Sequence, residues 1–149
     1  MRLAKMIAPA LDVADNADMI ERLAAGMPGL TQRASTLPEL ADAARFYVQR
    51  PRFPLENPKA AKLVSGDGPA IAKDFADQVL STLSPWTTES LHDAMQAYCD
   101  AKGLGFGKVA QPIRGAVTGS NASPDLMEVL FVLGRDECLA RIAAVPVES

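Results

Sequence analysis

Apolar residues recur along this chain at three- and four-residue steps almost throughout, the spacing of one buried face of an α-helix. In TLPELADAARFYVQR, the residues Leu37, Leu40, Ala41, Ala44, Tyr47 and Val48 keep that step, and Thr36 with Glu39 forms a capping box. A second helix is predicted to open at Asp67-Gly68-Pro69 and to bury Ile71, Phe75, Val79 and Leu83, stopping at Ser84-Pro85. A third starts from Thr87, with Trp86 stapled against Leu91, and buries Leu91, Met95 and Tyr98 as far as Lys102-Gly103. Shorter helices are expected over 19–25, after the Asn57-Pro58 cap, from Ser123-Pro124 to about 133, and over 135–145. Alternating strand patterns are missing, and the β-branched and aromatic run at 129–133 lies inside a helix-capped segment. The expected fold class is all-α.

In QRPRFPLENPKAA, Pro51, Pro54 and Pro58 forbid a continuous helix, so the chain is expected to divide there. The expectation is a smaller helical subdomain over 1–52 and a larger helical bundle over 53–149. With 149 residues and 48% hydrophobic content, the chain can bury a core of this size. It has no apolar run long enough to cross a bilayer, and MRLAKMIAPALDVADN lacks the apolar segment of a secretory signal, so no membrane partner and a cytoplasmic location are expected.

A formal net charge of -3 speaks against a protein that coats nucleic acid without specificity. Charge is nevertheless uneven. Arg22, Arg33, Arg45, Arg50 and Arg52 crowd one stretch against only Glu39 and Asp42, and residues 104–121 carry Lys108 and Arg114 with no acid. Catalytic and metal-binding residues are not expected. His92 is the only histidine, Cys99 and Cys138 share no ligand spacing, and the acids Asp136-Glu137 and Asp15 with Asp18 sit where helix starts favour negative charge.

Gly105-Phe106-Gly107-Lys108 looks at first like a phosphate loop. A Walker loop needs four residues between its glycines, Ser or Thr after the lysine, and a preceding strand; here Val109 follows Lys108 and a helix precedes it. The glycines are read instead as a helix terminator and a tight start to the next helix. Beyond them Val109, Ile113 and Val117 step by four along one face, which sets Arg114 beside the buried stripe with Gln111 three residues earlier on the same side. A planar donor and an amide at that spacing suit a flat, hydrogen-bonding object.

KVAQPIRGAVTG followed by SPDLMEVLFVLGRDECLARI resembles the C-terminal anticodon-binding region of bacterial-type glutamyl-tRNA synthetases, and TLPELADAARFYV and Trp86-Thr87 share the likeness. It extends over about residues 30–145. The resemblance implies two small helical subdomains that bind the anticodon loop of a glutamate-specific tRNA. In the parent enzyme a class I catalytic domain, with ATP and magnesium, activates glutamate and transfers it to tRNA. Neither a HIGH-type nor a KMSKS-type motif occurs here, so the chain is expected to be a C-terminal fragment that binds tRNA without charging it, needs no cofactor itself, and works with the catalytic domain in cis.

Residue by residue, the resemblance places Gln111 and Arg114 on the anticodon bases, and Ser123, Pro124 and Leu126 in a loop-to-helix segment lining the same pocket. Arg33 matches an arginine associated with the third anticodon letter, which separates glutamate from glutamine tRNA. Asp125 stands where the family has glycine, which weakens an anion-binding role for that helix start. The alternative from another class is a helical protein-interaction module docking through Phe131 and Leu133 or the Met-rich N-terminus.

Overall fold

The computed structural model describes residues 2–32, 34–120 and 124–146, and among these it is all-α with no strand. The chain divides between Arg50 and Pro51 into two compact units.

In the first unit, α1 (Arg2–Ile7) runs into a 3-10 turn at Ala8–Leu11, followed by α2 (Ala17–Thr31) and α3 (Leu37–Val48). Ala4, Ile7, Ala8 and Leu11 are buried with Leu23 and Leu30 of α2 and Ala44 and Tyr47 of α3. Helix α2 is much longer than the 19–25 expected. Asn16 caps it by accepting from the Met19 N–H at 3.1 Å, and it continues through Gly26 and Pro28. Gly26 is used for contact and does not break the helix: a Cβ there would lie 2.4 Å from Cε2 of the fully buried Tyr47. Pro28 forfeits one backbone bond but lies on the exposed side, while Met27 and Leu30 keep the helix on the core. Arg22 donates from Nη1 to the Tyr47 carbonyl at 2.9 Å, tying α2 to the last turn of α3. The capping box at α3 forms with a shift. Thr36 Oγ1 accepts from the Glu39 N–H, and the Glu39 carboxylate accepts from the N–H and hydroxyl of Ser35, which holds its pKa below the usual value.

The second unit contains α4 (Pro58–Leu63), α5 (Gly68–Phe75), α6 (Thr88–Lys102), α7 (Phe106–Thr118), α8 (Leu126–Leu133) and α9 (Arg135–Ala143). Helix α7 is central and packs on α4, α5, α6, α8 and α9. Accordingly Val109, Ala110, Ile113, Ala116 and Val117 are all buried, a wider face than a single stripe. Its fit against α4 depends on Gly115, where a Cβ would come within 2.9 Å of Val64 Cγ1 and 3.0 Å of Leu63 Cβ.

The stripe predicted after Asp67 is corrected. Helix α5 passes into a π-helical turn at Ala76–Leu80, in which the Ser81 N–H reaches back to the Ala76 carbonyl at 3.0 Å. Ala72, Phe75, Ala76 and Leu80 are buried while Ile71, Val79 and Leu83 are only half-buried; the wider turn takes up an extra residue, which shifts Val79 and Leu83 off the four-residue count. Trp86 is anchored through its polar edge and its ring face. Its indole N–H donates to the Leu130 carbonyl at 3.1 Å, and the Arg135 guanidinium lies 5.3 Å from its ring centroid. Arg135 also donates to the Leu80 and Leu83 carbonyls, closing the π turn. Helix α8 is capped by Asp125, whose carboxylate accepts from the Glu128 N–H; the expected start at Ser123 lies outside the described residues.

Arg141 was not singled out in the sequence. It is 1% exposed, donates from Nε to Glu137 Oε2 at 2.8 Å and from Nη1 to the Val117 carbonyl at 2.6 Å, and so pins α9 to the last turn of α7. Glu137 therefore has a partner as well as a place near a helix start. Removing one member of a buried ion pair leaves the other uncompensated, at a cost of about 3–5 kcal/mol, whereas an apolar replacement of the whole pair is often neutral. In urea denaturation, Arg141→Ala is expected to lose about that amount, and Arg141→Met combined with Glu137→Gln to recover much of it.

Tyr98 gives the fold a dependence on alkaline pH. Its hydroxyl donates to Asp74 Oδ2, linking α6 to α5, and burial followed by the Asp74 contact raises its pKa to about 12. The folded state thus favours the neutral phenol. Its stabilisation is complete below the unfolded value of about 10 and is lost as pH rises through the folded value. Thermal melts are expected to fall more steeply between pH 10 and 12 in the natural chain than in Tyr98→Phe. Equal slopes would remove Tyr98 as the cause.

Candidate nucleic-acid interface

The site grows from the exposed side of α7. Gly105 precedes the helix without a side-chain cap, and the ring of Phe106 lies 5.3 Å from that of His92 on α6. Lys108, in the first turn, places Nζ 3.3 Å from Asp67 Oδ1. Residues 104–121 lack acids in sequence, but folding brings one to them from the turn before α5. One helical turn after Gly107, Gln111 is exposed and lines a pocket of about 170 Å³ with Lys62, Ser65, Lys108 and Pro112. Pro112 lies inside α7 and its ring faces Gly68, where a Cβ would be 3.1 Å from Pro112 Cγ.

Arg114 is half-buried, and its Nη1 donates to the Pro124 carbonyl at 3.3 Å. The chain can reach back to it because α7 stops sharply. Gly119 has φ +68, a conformation that side-chain-bearing residues rarely adopt, and its N–H closes on the Gly115 carbonyl at 2.9 Å. Thr118 steadies the turn: its hydroxyl donates to the Arg114 carbonyl at 2.7 Å and accepts from the Ser120 N–H at 3.1 Å. The Thr-Gly-Ser turn and Pro124 together hold the arginine on the flank of the core.

The expected site residues thus fall into different settings. Arg114 and Pro124 are in contact; Gln111 lies on the pocket wall, which Arg114 does not line. Pro124 is buried, and Leu126 is 3% exposed, so its side chain packs in the core beneath the 124–126 segment. Arg33 and Ser123 lie outside the described residues. Lys62, Ser65 and Asp67 join Gln111 only through the packing of α4 and α5 on α7, and nothing in their local sequence marks them.

Other candidates lose ground. In the arginine-rich stretch, Arg22 is bonded to a backbone carbonyl and Arg45 pairs with Asp42 at 3.3 Å. His92 is exposed, and Cys99 is buried with its thiol pKa raised by burial and by Asp100. Among the described residues no group of three His, Cys, Asp or Glu side chains could hold a metal ion. Nor is any described helix long and apolar enough to cross a membrane. For a docking surface, Phe131 is 47% exposed but Leu133 is buried, which breaks up the apolar patch proposed on α8.

Residues 2–146 match a family profile described as an anticodon binding domain. Glutamate–tRNA ligase 1 of Brucella melitensis biotype 1 is 45% identical over 138 residues, which are 93% of this chain and 28% of that protein. Glutamate–tRNA ligase 2 of Brucella ovis gives the same identity and coverage. Among solved structures, a glutamate tRNA ligase from Elizabethkingia meningosepticum in complex with its amino acid matches 95% of this chain and 28% of its own, with a TM-score of 0.74 and 21% identity. The glutamate–tRNA synthetase of Elizabethkingia anophelis has the same coverage, with a TM-score of 0.70 and 20% identity. The structural likenesses show the shared fold, and the chain spans less than a third of each of these relatives. Matched along nearly all of its length by a single profile, this chain belongs to the anticodon binding domain family.

Proposed function

We propose that this chain reads the anticodon loop of a glutamate-specific tRNA as the C-terminal part of a glutamate–tRNA ligase. The observation that carries the reading is the setting of Arg114, a half-buried arginine steadied by the Pro124 carbonyl, with the exposed amide of Gln111 one turn earlier on the same helix. Anticodon bases are unstacked and present flat hydrogen-bonding edges, so a reader needs a few planar donors held in place rather than a blanket of charge. The net charge of -3 is compatible with such a reader because the local placement of a few cations matters more than the total.

In this reading Gln111 and Arg114 contact bases, and Ser123, Pro124 and Leu126 shape the surface beside Arg114. Leu126, being buried, acts through packing. Asp125 occupies the first turn of α8 with its own carboxylate, which directs recognition to side chains and away from that helix's backbone amides. Arg33, in the smaller unit, would help to separate glutamate from glutamine tRNA. The catalytic part of the ligase, in cis, would use ATP and magnesium to activate glutamate, and the whole would act in the cytoplasm.

Titration of the chain with glutamate and glutamine anticodon stem-loops at two salt concentrations tests the reading. Arg114→Ala is expected to weaken the glutamate complex by about 1–3 kcal/mol, the usual worth of a good base contact. Arg114→Lys keeps the charge but loses the planar fork, and is expected to lose most of that amount. Unchanged affinity and anticodon preference in both variants would overturn the role of Arg114. The protein-interaction alternative requires instead that no salt-dependent RNA binding be seen.

A further inference from the structure

The pocket beside Gln111 has features that base reading does not use. Its walls come from α4, from the turn before α5 and from the first turns of α7, which bring Lys62, Ser65 and Lys108 together although they lie up to 46 residues apart in sequence. Two lysines on one concave wall repel each other unless an anion lies between or beside them. Asp67 supplies part of that charge at 3.3 Å from Lys108 Nζ, but both side chains of this pair are more than half exposed. An exposed pair of this kind is weak, worth about 0–1 kcal/mol, and exchanges readily for a better anion. With Asp67 counted, the wall still carries a net positive charge.

Size narrows the class of anion. A volume of about 170 Å³ is well below the roughly 300 Å³ at which pockets begin to enclose a whole small ligand, so it suits one part of a larger one. The wall is also firmly positioned. Gly115 allows α4 to lie directly on α7, and Gly68 does the same over Pro112, so Lys62 and Lys108 are carried on elements that cannot separate without opening the core.

We infer that Lys62 and Lys108 form a phosphodiester-binding site for the RNA backbone, holding the phosphate next to the nucleotide whose base Gln111 contacts. This rests on the anticodon-loop reading and adds a division of labour to it: the lysines supply sequence-independent attraction, and Gln111 and Arg114 supply discrimination. Asp67 acts as the resident counterion, displaced from Lys108 when RNA binds.

Lys62→Ala, Lys108→Ala and Asp67→Asn alter exposed side chains, and far-UV melts check that each variant of the full chain stays folded. Each lysine variant is expected to weaken the glutamate and glutamine stem-loops by the same factor and to lower the log–log salt slope by about 0.7. Asp67→Asn is expected to tighten both complexes. A neutral methylphosphonate walked through the loop should weaken binding at one position in the natural chain, and that effect should vanish in Lys108→Ala. If the natural chain binds and the lysine variants keep its affinity and salt slope, this site is refuted while the anticodon reading stands. A changed glutamate-to-glutamine ratio would also refute it, by placing the lysines on bases. Failure of the natural chain to bind either stem-loop overturns both.

Discussion

The buried guanidinium of Arg141 sets the geometry of the larger unit. With Glu137 on one side and the Val117 carbonyl on the other, it fastens α9 to the end of α7, where the Thr-Gly-Ser turn begins. Helix ends leave carbonyls without partners, and burying one requires a donor from elsewhere. Arg141 supplies that donor, at the cost of a desolvated charge that Glu137 offsets. Because α7 ends at a fixed point, Thr118 and Gly119 can turn the chain back so that Pro124 meets Arg114. Near the same end of α7, Gly115 lets α4 approach its backbone, and Gly68 of α5 lies against the Pro112 ring in the middle of the helix.

A helix packed on most of its circumference has few positions left for polar chemistry. On α7 these include Lys108, Gln111 and Arg114, and each has a different surrounding: an exposed acid, a pocket wall and a backbone acceptor. A surface so sparse suits recognition by shape and a few directed donors, in keeping with the family to which the chain belongs. It also shows how an acidic chain can be compatible with RNA, since local cation placement matters more than the total.

The legible parts of the fold were those with local causes. Thr36, Asn57 and Thr87 cap the helices that follow them because a cap needs only the next few residues. The features that were missed depend on distant partners. The expected helix over 19–25 stops short of Gly26 and Pro28, and the close approach of Tyr47 to Gly26 belongs to the packing that carries it on. Ala4, Ile7, Ala8 and Leu11 had helical spacing, but the segment is short and Pro9 interrupts it, so burial against α2 and α3 decides it. The π turn changes which of the residues after α5 face inward, and a four-residue count cannot anticipate an inserted residue. In the candidate site, Gln111 and Arg114 could be named from their motif. Lys62 and Asp67 could not, because tertiary packing alone places them near α7.

The central claim is that α7 and the 124–126 segment form the RNA-binding face. Backbone amide NMR of the chain, titrated with a glutamate anticodon stem-loop, tests it most directly. The account requires the largest shift changes at Lys108, Gln111, Arg114 and residues 125–126, with little at the exposed Phe131 on α8. Changes centred on Phe131 and its neighbours, or none at saturating RNA, would contradict it.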